Sequence, residues 1–198
     1  MSTVARLRAV LAPRFPEVAT VLTRFREAGL IAAGAPGYAG AGSAPISPAQ
    51  AIAVILALGS GLAPARAPAA SQALSGYVLR AAFLPTTGPS YRTPIAGGLS
   101  FGPWAAAELR RAAADPNHRL AGWQIEAGLG IFTVDPVNFE PGGLREFGAA
   151  QPALAFEPLK PGPRPEAWRC TIIAPGLLRA VAAVYRGSRL ELVEGEAA

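Results

Sequence analysis

Five arginines near the start of the chain, Arg6, Arg8, Arg14, Arg24 and Arg26, combine a residue type and a spacing that suit binding chemistry. A guanidinium keeps its charge and presents its donors in a fixed fork, so a set of them on one surface suits a polyanion. Thr20, Thr23 and Arg24 fall on one side of a helical repeat, where hydroxyl and guanidinium groups reach base edges in a major groove. Arg6, Arg8 and Arg14 suit phosphate contacts, which fix position without reading sequence. The competing reading is a solvated helix face on which Arg24 or Arg26 pairs with Glu27. Pro16, Glu17 and Val18, at the start of the second helix, are poor donors and argue against strong base readout.

Periodicity predicts the elements that hold these groups. Val4, Leu7, Val10 and Leu11 recur at helical spacing, and Pro13 and Pro16 bracket a break. Val18, Val21, Leu22, Phe25 and Ala28 then form a second apolar stripe, with Thr20, Thr23, Arg24 and Glu27 on the other side. Gly29 is placed to end that helix in a left-handed cap. Further on, Ser47, Pro48 and Gln50 mark the start of a third helix through a capping box. Ile52, Val54, Ile55, Leu56 and Leu58 make it apolar nearly all round, so it must be buried. It is expected to close a small domain rather than to form a dimer interface.

Two short helices across a tight break, the second running into Phe25, Arg26, Glu27, Ala28, Gly29, Leu30 and Ile31, resemble the helix-turn-helix half of a winged-helix domain. The resemblance covers roughly residues 3 to 45. It implies that residues 1 to 62 form a DNA-binding module, that the helix at 16 to 28 enters the major groove, and that Tyr38 lies in a returning wing strand. No helix precedes Thr3, where that superfamily normally has one, and residues 32 to 45 lack alternating strand residues and a basic tip.

The formal net charge is +5, and its distribution agrees with a polyanion partner near the amino end. Residues 1 to 66 carry a net +4 and the remaining residues only +1. A single cysteine excludes an internal disulfide and a multi-cysteine zinc site. The longest apolar run is broken by proline, glycine and glutamine, and the first residues do not read as a signal peptide, so a cytoplasmic location without a membrane partner is expected.

After residue 62 the composition predicts a linker over 63 to 97, with one helix at 71 to 83 and a proline- and glycine-rich loop. An α+β domain over 98 to 187 and an acidic tail over 188 to 198 follow. Within that domain a helix opens at Pro103. Two strands and a turn, or one bulged strand, are expected in "GWQIEAGLGIFTVDP", single strands in "PALAFEP" and "AWRCTII", and a helix in "APGLLRAVAAVYRG". The fold class is therefore α+β: a small, mainly helical, winged-helix-like domain followed by a small α+β domain.

Other reactive residue types argue against an enzyme. His118 is the sole histidine, and Cys170 reads as half-buried packing in a strand. Glu126, Asp135, Glu140 and Glu157 alternate with apolar neighbours, as on an exposed sheet face. Trp104, Trp123 and Trp168 suit core packing better than base stacking. The glycine run at 34 to 42 lacks the strand and the Gly-Lys-Ser/Thr of a phosphate loop. The expected protein is non-enzymatic, without cofactor or metal, a homo-oligomer on double-stranded DNA. Its layout resembles proteins encoded by prophages of GC-rich bacteria, which implies a phage- or prophage-type transcriptional regulator. Alternatives are a DNA-packaging adaptor resembling a small terminase subunit, and a protein-binding module without DNA.

Overall fold

The two expected amino-terminal helices form between their proline breaks, as α1 (Val4–Leu11) and α2 (Val18–Glu27). The computed structural model describes residues 3–32, 44–83, 92–94, 98–126, 130–134, 153–160 and 170–186. Val4, Leu7 and Leu11 of α1, and Val18, Val21, Leu22 and Phe25 of α2, are buried. Helix α2 ends as its sequence requires. Gly29 takes φ +69°, its N–H donates to the Arg26 carbonyl, and the Leu30 N–H donates to the Phe25 carbonyl. This is a complete Schellman cap.

Helix α3 (Pro48–Gly59) carries the expected capping box: Ser47 Oγ accepts from the Gln50 N–H, and Gln50 Oε1 accepts from the Ser47 N–H. It is buried along most of its length and packs on α2 and on two later helices, α4 (Ala67–Ser75) and α5 (Phe101–Ala114). The buried core runs without a break from Val4 to Tyr185, across residue 62.

Four sequence expectations need correction. The helix predicted over 71 to 83 is α4 only as far as Ser75; Gly76 caps it, and Val78–Phe83 form strand β1. The local pattern there is ambiguous, and pairing with a later strand decides it, since β1 lies against β5 (Ala153–Glu157). The stretch predicted as loop over 84 to 99 contributes strand β2 (Arg92–Pro94). A proline ends that strand without breaking a ladder because β2 is the sheet edge. A short 3-10 helix, Pro64–Arg66, precedes α4, so much of the expected linker is structured. Helix α5 also begins two residues before Pro103, behind Ser100.

Strands β3 (Gly122–Glu126), β4 (Gly130–Val134) and β6 (Cys170–Ile173) complete an antiparallel sheet of six described strands, ordered β2-β1-β5-β4-β3-β6. Its register sets one face. Trp123 pairs with Ile173, Ile125 with Ile131, Ile131 with Phe156, and Phe156 with Leu79. All of these are buried, whereas Gln124, Phe132 and Ile172 point the other way and are half-buried or exposed. Helix α5 seats Phe101 edge-on against Trp123 and Phe156, with ring centroids 5.1 and 5.0 Å apart. The last helix, α6 (Pro175–Tyr185), packs on α5, β3 and α1. Helices over one face of an antiparallel sheet make this an α+β fold.

Helix α6 resolves a packing question raised by the sequence. Helix α3 was expected to close the small amino-terminal domain. The main partner of α1 is instead α6, whose Tyr185 hydroxyl donates to the Ser47 carbonyl at 3.0 Å and so ties the carboxyl-terminal helix to the start of α3.

Candidate nucleic-acid interface

The solvent face of α2 is set by the same 100° step that buries its stripe. Thr20, Thr23 and Arg24 are all exposed, and with Ala19 and Glu27 they line one shallow depression of about 330 Å³. Thr23 turns its hydroxyl back to donate to the Ala19 carbonyl at 3.1 Å, while its oxygen lone pairs stay available. Arg24 Nη1 contacts Glu27 Oε2 at 2.7 Å, so the pairing weighed from the sequence does form. Both side chains are about half exposed, 47% and 54%, and such a surface pair is worth little in water. A phosphate offered to Arg24 competes with that carboxylate on equal terms.

The other cations differ from one another. Arg6, Arg8 and Arg14 are exposed and make no ion pair with any described residue. Arg6 and Arg8 lie two positions apart on α1, hence on different sides of its solvent face, and Arg14 sits in the turn before α2. Arg26 is half-buried and flanks the core side of α2, so it belongs less to the open face than Arg24. Tyr38 lies outside the described residues. The chain on either side of it is anchored: Ile31, Ala44 and Ile46 are buried, and the Val4 N–H donates to the Ala44 carbonyl at 3.1 Å, beside a bridge between Thr3 and Pro45. The last described residues before it thus lie at the end of α2, and the first described residues after it lie beside the start of α1.

The residues considered for catalysis are dispersed. His118 Nε2 lies 2.8 Å from Glu108 Oε2, and Glu108 also pairs with Arg111, which makes a helix-end ion cluster. Cys170 is exposed rather than half-buried, because it pairs with Glu126 on the sheet face shared by Gln124 and Ile172. Partial burial, followed by the neighbouring Glu126 carboxylate, pushes its thiol above the ordinary 9.0, which disfavours the nucleophilic thiolate. Glu126 takes a hydrogen bond from Gln124 at 2.6 Å and is separated from Glu157 by the intervening strand β4. The Phe132 ring lies over Gly130 on that strand. Asp135 and Glu140 lie outside the described residues. Trp123 is 2% exposed and Trp104 stacks near Phe101 and Phe156, so both serve the core; Trp168 lies outside the described residues.

What the sequence missed is the clamp on α2. Gln50 Nε2 donates to the Leu30 carbonyl at 2.8 Å while its Oε1 completes the capping box. One side chain thus fixes the start of α3 and the end of α2. The capping-box motif identified Gln50, but nothing local pointed to Leu30, twenty residues away. Among the described residues, no helix is long and apolar enough to cross a membrane. No protein-family model, no curated protein and no solved structure matches this chain.

Proposed function

We propose that this chain is a non-enzymatic DNA-binding protein, a transcriptional regulator of winged-helix character, that lays α2 in the major groove of duplex DNA. Thr20, Thr23 and Arg24 face the bases in this reading, and Arg6, Arg8 and Arg14 take phosphates on either side. The observation that carries it is the shared exposure of Thr20, Thr23 and Arg24 along one depression of α2. A wing beside that helix, with Tyr38 on it, belongs to the same reading. The concentration of positive charge in the first third of the sequence supports the same partner. A phage or prophage origin is the setting the sequence layout favours, and a homo-oligomer is the form that would double a short recognition surface.

Selection from a random duplex pool, followed by fluorescence anisotropy, tests this. The Arg24→Ala variant is expected to lose about tenfold in affinity for the selected site and less for an unrelated duplex, as loss of a base contact worth ~1–3 kcal/mol implies. Absence of any duplex binding by the wild-type protein at low salt would remove the proposal.

A further inference from the structure

A cavity of about 510 Å³ opens beside Phe25 and Leu30 at the end of α2, where the ends of four helices meet. That volume lies in the range of roughly 300–1,000 Å³ typical of small-molecule sites. Phe25 and Leu30 from the α2 cap, Ala53 from α3 and Pro103 from α5 supply an apolar wall. Gln72 and Ser75 of α4 and Ser100 before α5 supply a polar one. Among the described residues, no charged side chain lines the space.

The hydrogen bonds of the wall are unevenly used. Gln50, at the rim, is engaged by both Ser47 and Leu30, and Ser71 donates to the Pro68 carbonyl at 2.8 Å. Ser100 stands at the N-cap of α5 yet makes no capping bond. Pro103, the third residue of that helix, has no N–H to donate to the Ser100 hydroxyl. The Ser100 hydroxyl and the Gln72 amide therefore remain uncommitted among the described residues, beside an apolar surface.

We propose that this cavity is a binding site for a small uncharged molecule that joins an apolar body to an amide or comparable polar group. The apolar part lies against Phe25, Leu30 and Pro103, and the polar part exchanges hydrogen bonds with Ser100 and Gln72. A charged ligand would lose its hydration and find no counter-charge in the wall. The site stands on its own geometry and does not require α2 to bind DNA.

Benzamide is a suitable probe, with benzoate and benzamidine as charged molecules of the same shape. In ¹H–¹⁵N spectra of the full chain, benzamide is expected to shift the amides of Leu30, Ala53, Ser75 and Gly76, with a dissociation constant on the order of 1 mM for so small a ligand. The two charged probes are expected to bind roughly tenfold more weakly, since each would leave a buried charge unpaired. Ala53→Leu keeps a good helix former while filling the cavity, and should weaken benzamide by about tenfold. Ser100→Ala should weaken it several-fold without filling space, and it decides the matter if Ala53→Leu does not fold. The proposal is overturned if benzamide leaves those amides unshifted at about 20 mM, well above the expected constant. It is equally overturned if the charged probes bind as well, or if the folded variants bind benzamide as tightly as the wild type.

Discussion

In the proposed complex Arg24 would turn from Glu27 toward DNA, and that exchange can be measured. Replacing Glu27 by Gln removes a carboxylate from the depression and frees the guanidinium, so duplex affinity at low salt should rise by about two- to fivefold, the range of a surface ion pair. Anisotropy titrations of Glu27→Gln against the wild type read this directly; unchanged or weaker binding would place Arg24 outside the interface. Tyr185 gives a prediction of a different kind. Burial raises its phenol above the ordinary 10.0, so the folded state holds the neutral form that donates to Ser47. Its contribution is complete below pH 10.0 and is lost as the pH climbs from there toward the raised folded value. Tyr185→Phe should therefore cost about 0.5–1.5 kcal/mol at neutral pH, and should flatten the alkaline loss of stability in urea melts. The α2 surface residues were readable in advance because Thr20, Thr23 and Arg24 follow from one helical period. The contact of Tyr185 with Ser47 spans 138 positions and has no local signal.

Helix ends and helix crossings carry much of the local information in this chain. Gly29 was legible as a left-handed cap, and Gly29→Ala should cost roughly 1 kcal/mol, because φ +69° strains any residue with a Cβ. A shift in the urea midpoint without a change in slope would check it. Gly102 was not legible, since its role depends on a neighbour distant in sequence. A Cβ there would stand 1.7 Å from Ser75 Oγ and 2.9 Å from Ser75 Cβ, so Gly102→Ala must part α4 from α5. The expected loss is about 1–3 kcal/mol, and Ser75→Gly in the same chain should recover part of it. The misread segment at 78 to 83 has a related cause. Leu79, Ala81 and Ala82 suit a helix as well as a strand, and only the partner strand β5, more than seventy residues later, selects between them. Where both flanking breaks and period were local, as in α1 and α3, the sequence reading and the structure coincide; α2 starts two residues after the expected 16, and of the two readings left open for 122 to 136 the structure has two strands, β3 and β4.

At the scale of the whole molecule, the helices that present the basic face rest on the sheet-bearing part of the chain. Helix α6 covers α1, while α3 joins α2 to α5, and Gly59 brings the end of α3 against Ile125 of the sheet. This continuity predicts coincident urea transitions by tryptophan fluorescence and far-ultraviolet circular dichroism. It also explains why the fold class was legible from the sequence while the way its parts join was not: the joining contacts are all long-range. Binding should then behave as a property of an assembled surface. The most direct measurement is the slope of log affinity against log salt concentration for a duplex, compared between the wild type and a variant carrying Arg6→Ala, Arg8→Ala, Arg14→Ala and Arg24→Ala. Each lost phosphate contact should lower the slope by about 0.9, so the variant is predicted to fall well below the wild type. Equal slopes in the two proteins, or a wild type whose affinity does not respond to salt, would contradict the account.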